Sequence, residues 1–308
     1  MAQEPYKQNP LPSHETFVPP VNPIGNAVQD WARGFRERTL HPLETMAAKA
    51  KEVSKASLEE TLPTMLGVGM MAGVGAKTAD LAKLKMAEEL KASGVADDLI
   101  REKTGWTFAF GGGKPMFEFS DDAALLNAEG LNQLDKPLKE VLHHSKLFEA
   151  YPHLKEMFVR GLPKAASGAG AQSPLGIKLG TGGMDEEKIH STLLHEVQHA
   201  IQQYEKHPEG GTPLSVVKLP EYQHLMQKKW TQYLDEGLTS NMAHSKAQGE
   251  AALEIYQRLA GEQMAKATGA RAKMTVAERV ATPVEKSMSV PVWKQILGFD
   301  VGTAKPVQ

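Results

Sequence analysis

The sequence predicts an α+β fold: a small mixed or antiparallel sheet carrying two long helices, preceded by a mostly helical N-terminal region. Three observations carry that expectation. First, WTFAF-GGGKP-MFEF (Trp106–Phe119) alternates aromatic with small or polar residues on both sides of a glycine-rich turn, as a β-hairpin does. Second, the short apolar run LGIKL (Leu175–Leu179) reads as a strand just ahead of the long helical pattern HSTLLHEVQHAIQQYE (His190–Glu205). Third, SKAQGEAALEIYQRLAG (Ser245–Gly261) has the spacing of a second long helix.

The remaining elements follow in order. Residues 1–26 are proline-rich (NPLPSHETFVPPVNPIGN) and read as an extended arm. Residues 27–94 read as the helical region, with helical spacing over Ala27–Ala50 interrupted at Pro42. Within it, Leu62–Ala76 is an uncharged, glycine-rich run, shorter than the ~20 residues that span a bilayer. It is expected to be a helix packed closely through its glycines. Gly69-x-x-x-Gly73 would suit self-assembly, contact with partner proteins or a transient membrane contact. The texture changes after Gly94, which places a domain over 95–285 and a tail over 286–308. PLKEVLHHSKLFEAYPHLKEMFV reads as one or two short helices ending in a strand, and KAASGAGAQSP as a flexible loop leading into LGIKL. LGIKL is expected to be the edge strand, free to pair with an extended peptide.

Composition narrows the function. The net charge of −2 over 308 residues gives no global basic field and hence no nucleic-acid signal. With no cysteine, thiol catalysis, disulfides and thiolate-bound zinc are excluded, so a metal would be held by His, Glu and Asp. The first residues lack a basic stretch followed by an apolar one, so no secretion signal is expected.

The chemistry concentrates in His195-Glu196-Val197-Gln198-His199. On a helix, His195 and His199 project from one face a turn apart and can share one tetrahedral Zn²⁺, with Glu196 beside them as a base. The competing reading is a solvated helix face whose histidines are merely hydrogen-bonded. A third ligand decides between them. Glu205 would need the helix to break after His199, and AIQQYE contains no breaker. His207 reads as a loop residue ahead of PEGGTP. Glu250 is the better candidate, with Glu254 four residues on to receive a histidine N–H.

GEAALE after HEVQH looks like the pattern of gluzincin, thermolysin-like peptidases, with Glu254 where those enzymes usually carry Asp. A closer likeness covers roughly residues 104–260. TGWTFAF, LKEVLHHSKLFEAYP and TLLHEVQHAIQ, in that order, resemble a large polyvalent protein-associated domain of phage and mobile-element proteins. That resemblance implies a zincin-like metallopeptidase carried on a virion or ejection protein and released into the host envelope or cytoplasm. Its partners would be a peptide or protein substrate and other virion proteins.

The expected reaction is hydrolysis of peptide bonds by a metal-activated water. His195, His199 and Glu250 would hold zinc, and Glu196 would move the proton. His144, His190, His224, His244 and Tyr256 are candidates for a donor to the developing oxyanion. Two alternatives stand beside it: a structural virion protein with an inactive zincin scaffold, and a zinc amidase or endopeptidase acting on peptidoglycan peptides.

Overall fold

The computed structural model describes residues 69–297, 299–300 and 305–306, apart from 109, 111–112, 122, 132–134, 163–169, 174–175, 273, 276–277 and 280–281. The arm and the Ala27–Ala50 helix expected from the sequence lie outside the described residues.

The described chain begins with β1 (Gly69–Ala72), α1 (Leu81–Ala92), α2 (Asp97–Thr104), β2 (Trp106–Thr107) and β3 (Met116–Ser120). The predicted hairpin is present, with Trp106 opposite Phe117. The glycine-rich run is not a helix where it is described. Gly69–Ala72 is a strand antiparallel to β3, giving a sheet of order β1-β3-β2. All four of its residues are buried, so it shows no polar–apolar alternation. Met70, Met71 and Ala72 sit in the core, and the fold therefore extends at least to residue 69 rather than beginning near 95.

Next come β4 (Leu125–Leu126), β5 (Lys136–Pro137), α3 (Leu138–Val141), β6 (Leu142–His143), α4 (Ser145–Ala150) and β7 (Phe158–Leu162). β8 (Gly170–Ser173) and β9 (Gly176–Gly180) complete a four-stranded sheet of order β5-β7-β9-β8. It is mixed, since β7 and β9 run parallel and the other neighbours antiparallel. Residues Gly176–Leu179 of LGIKL thus lie in an interior strand, and one edge is β8, formed by residues expected to be loop.

The long helix α5 (Glu186–Glu205) crosses this sheet. Asp185 accepts a hydrogen bond from the Lys188 amide at 2.8 Å, and Glu186 and Glu187 complement the helix dipole in its first turn. Leu193, Leu194, Val197 and Ile201 bury its apolar face against Val159, Ile177 and Leu179. On the C-terminal side, α6 (Pro220–Asp235) and α7 (Ser240–Arg258) pack on each other, and α8 (Ala260–Arg271) packs directly on α5.

The expected second helix ends at Leu259, whose ψ of 129° is extended. The break is held by Ile296: its carbonyl accepts from the Ala260 amide and its amide donates to Arg258, both at 2.8 Å. The described residues from 286 to 297 consequently belong to the fold. They are also tied in through buried Arg271, which contacts Glu118 of β3 at 3.1 Å and Ser287 Oγ at 2.9 Å.

Candidate metal centre

α5 carries His195 and His199 towards α8 with their Nε2 atoms 3.1 Å apart. Glu262, in the first turn of α8, lies against both. Its Oε1 is 3.3 Å from His199 Nε2 and its Oε2 is 3.8 Å from His195 Nε2. Donors held about 2.0–2.2 Å from one tetrahedral zinc stand about 3.3–3.5 Å from each other, so the three side chains fit a shared ion with little movement. They form the group of metal-ligating type found among the described residues.

The surrounding contacts orient these groups. His199 Nδ1 hydrogen-bonds Gln202 Oε1 at 2.8 Å, which leaves Nε2 facing the centre. Gln202 is fully buried, and its Nε2 donates to the Gly261 carbonyl at 2.9 Å, tying the histidine to the residue before Glu262. His195 is hydrogen-bonded to the Ala265 backbone. The loop after α5 closes against the other side. The Gly211 amide donates to Glu262 Oε1 at 3.1 Å, and a Cβ at Gly210 would overlap both the His199 ring and the Glu262 carboxylate. Gln202→Ala should lower zinc affinity about 10- to 100-fold by releasing the His199 ring, as competition with a chromogenic chelator would read. Unchanged affinity would remove Gln202 from the site.

Charge is arranged accordingly. Burial pushes His199 down, but the charge and hydrogen bond of Glu262 outweigh it and hold the imidazolium up to about 9. Burial likewise raises Glu262, and His199 reverses the effect, leaving the carboxyl at about 2. Burial, with the neighbouring His199 charge adding to it, depresses His195, which stays neutral. One proton on His199 therefore balances Glu262 where a cation could sit.

Glu196 is buried beneath the edge strand. A Cβ at Gly170 would overlap its carboxylate, and the Gln172 backbone donates to it. Burial raises its pKa to about 7, with His199 and Gln172 acting in the opposite sense. Tyr256, of α7, donates its hydroxyl to Glu262 Oε2 at 2.6 Å. Of the residues expected from sequence, His195, Glu196, His199 and Tyr256 are thus brought together.

Glu250 is not. Its carboxylate is 43% exposed, hydrogen-bonded by the Tyr233 hydroxyl and 3.4 Å from Lys229. Glu254 is 46% exposed and pairs with the same lysine at 3.2 Å, so neither acid reaches the histidines. Glu262, one helix later, takes the expected place of Glu250. Glu205 points away as expected, accepting from Tyr151 at 2.7 Å and from the Gly75 amide at 2.9 Å. His207 is buried near Gly73, outside the triad. His244 packs edge-on to Trp230, His144 caps α4, His224 is exposed on α6, and His190 lies nearer the start of α5.

Among known families, the first part of this fold finds a match. Residues 69–129 match the model of Large polyvalent protein associated domain 23. The match starts at β1, which agrees with the strand's place in the core, and it ends ahead of α5, so the likeness does not extend to the histidine pair. No curated protein and no solved structure matches the chain. Among the described residues, no helix is long and apolar enough to cross a membrane.

Proposed function

We propose that the chain is a zinc-dependent peptidase in which His195, His199 and Glu262 hold the metal and Glu196 is the general base. One observation carries the reading: two imidazole Nε2 atoms and a carboxylate from a different helix converge with the spacing of zinc ligands. A bound zinc would polarise the scissile carbonyl and lower the pKa of an attacking water towards ~7. Glu196, its carboxylate oriented by Gln172 and its pKa raised by burial, would take a proton from the attacking water and pass it to the leaving amide nitrogen. β8, the edge strand beside Glu196, offers the place where an extended peptide could add to the sheet. The Tyr256 phenol is kept protonated by burial and by Glu262, and it spends its one proton on Glu262 Oε2, which orients the carboxylate.

The likeness of residues 69–129 to a large polyvalent protein-associated domain supports a place in a phage protein delivered to the bacterial host. A second reading, a zincin-like scaffold without activity, is favoured by one feature: both Glu262 oxygens already accept protein hydrogen bonds, from Tyr256 and Gly211. Glu196→Gln separates the two. On the peptidase reading this variant keeps zinc and loses hydrolysis of a fluorogenic peptide library by about 10²–10⁴-fold. Wild-type protein that retains zinc and cleaves nothing in the library would favour the scaffold.

A further inference from the structure

Gln198 precedes His199 on α5 and is fully buried, and its side-chain amide joins three elements. Oε1 accepts from the Met71 amide of β1 at 2.9 Å and from Thr268 Oγ1 of α8 at 3.1 Å. Nε2 donates to the Met71 carbonyl at 2.9 Å and lies 3.8 Å from Met264 Sδ, also on α8. Both lone pairs of the oxygen and both hydrogens of the nitrogen are thereby engaged, so the side chain is held in one orientation.

Two other ties join α5 to α8, one on either side of this amide. Gln202 Nε2 donates to the Gly261 carbonyl and Ser191 Oγ to the Gly269 carbonyl, both at 2.9 Å. The two helices therefore run antiparallel, with Gln198 and Thr268 between those ends. A Cβ at Gly269 would stand 2.8 Å from the Ser191 carbonyl oxygen, so the backbones approach closely there. Among these three ties, that of Gln198 also reaches the sheet, because Met71 belongs to β1. Metal ligands keep their distances within about 0.2 Å, so a small shift of α8 along α5 would draw Glu262 away from His195 and His199.

We infer that Gln198 is a positioning residue for the metal centre: by fixing α8 against α5, and both against β1, it keeps the Glu262 carboxylate within reach of the two histidines. The inference rests on the zinc reading and adds to it a residue that does not touch the ion. It also gives β1 a part in the site, since the Met71 backbone holds the Gln198 amide in place.

The test uses the full-length chain, with zinc affinity read by chelator competition and ligand geometry by the visible absorption of Co²⁺ bound in place of zinc. Thr268→Val, which keeps the shape and removes the hydroxyl, should lower zinc affinity about 10-fold and alter the Co²⁺ spectrum, and Thr268→Ser should restore both. Gln198→Met, which removes the amide at similar length, should have a larger effect of the same kind. Ile100→Val trims a fully buried residue of α2 in a separate core cluster. It should lower the melting temperature and leave affinity and spectrum unchanged. If Gln198→Met does not fold, the two Thr268 variants decide the matter. Wild-type affinity and spectrum in Thr268→Val, or an equal loss of affinity in Ile100→Val, would overturn the positioning role while leaving the metal centre intact. A wild-type chain that binds neither Zn²⁺ nor Co²⁺ overturns the zinc reading and the positioning role with it.

Discussion

Glu262→Ala should empty the metal site, while Glu250→Ala and Glu254→Ala leave zinc affinity unchanged. Glu262 is the one carboxylate within 4 Å of both histidines among the described residues, and its side chain is 2% exposed. Removing it deletes one of the three proposed ligands and leaves two histidines, which would hold zinc weakly. Glu250 and Glu254 are partly solvated partners of Lys229, so their loss removes only a surface ion pair. The pH dependence should change as well. In the wild type, a metal ion must displace the proton that Glu262 holds on His199 up to about 9. Apparent zinc affinity should therefore climb as pH rises towards 9 and level off above it. With Gln at 262 the largest influence raising His199 is gone, leaving burial opposed only by Glu196 and Gln202, and the plateau should begin at lower pH. In the metal-free protein the same raised pKa has a stability consequence of opposite sense. The His199–Glu262 pair contributes stability fully below the unfolded histidine pKa, and that contribution fades as pH rises through about 9. Chelator competition across pH 6–10 on the wild type, Glu262→Gln and Glu250→Ala measures the affinity predictions together. Zinc loss in Glu250→Ala rather than in the Glu262 variants would reverse the assignment.

A fragment beginning at Ala96 should fail to fold, and one beginning at Leu62 should fold. The shorter fragment lacks β1, whose Met70 and Met71 side chains are buried to within 1%. Losing each is a core truncation of about 2–5 kcal/mol, against a typical domain stability of about 5–15 kcal/mol. It would also strip Gln198, a residue of the His-Glu helix itself, of its backbone partners, leaving Thr268 Oγ1 and Met264 Sδ. The Gln198 amide exchanges two hydrogen bonds of 2.9 Å with the Met71 backbone, closing the open edge of β1 as a neighbouring strand would. A buried amide left without them adds about 1–3 kcal/mol to the cost. Circular dichroism melts decide the matter: a cooperative transition in the Ala96 fragment matching that of the full chain would show that β1 is dispensable.

These two predictions also mark where the sequence was legible. α5 could be read directly from His190 onward, because an apolar stripe and the two histidines agree with one helical period; its first turn and Asp185 cap were seen only in the structure. The Trp106–Phe119 hairpin was equally plain from its alternation. β1 was not, because a strand buried on both faces carries no alternation and its flanking glycines suit helix contacts as well as strand contacts. Here they serve close approach: a Cβ at Gly73 would crowd Glu205 and His207. Glu262 was hidden for a different reason. Leu259 breaks the helix without any glycine or proline at the break, because the break is held by Ile296, far along the chain. The expected second helix stops at Gly261, so Glu250 and Glu254 are the acids it offers, and Glu262 falls just beyond it on a helix of its own. One sequence signal did point to Glu262. AGEQMAKATGAR is small and apolar around most of its circumference, and an acid in so buried a helix needs a cationic partner. The edge strand β8 was missed because GAQS has the composition of a loop, and its glycine is required by the Glu196 carboxylate beneath it.

The two histidines of α5 and the first-turn glutamate of α8 are proposed to share one zinc ion. Crystals of the zinc-loaded protein, measured on both sides of the zinc absorption edge, test it most directly. The anomalous map should show one strong peak about 2.0–2.2 Å from His195 Nε2, His199 Nε2 and a Glu262 carboxylate oxygen. A map with no peak there, or with the zinc bound at Glu250 and Glu254 instead, would contradict it.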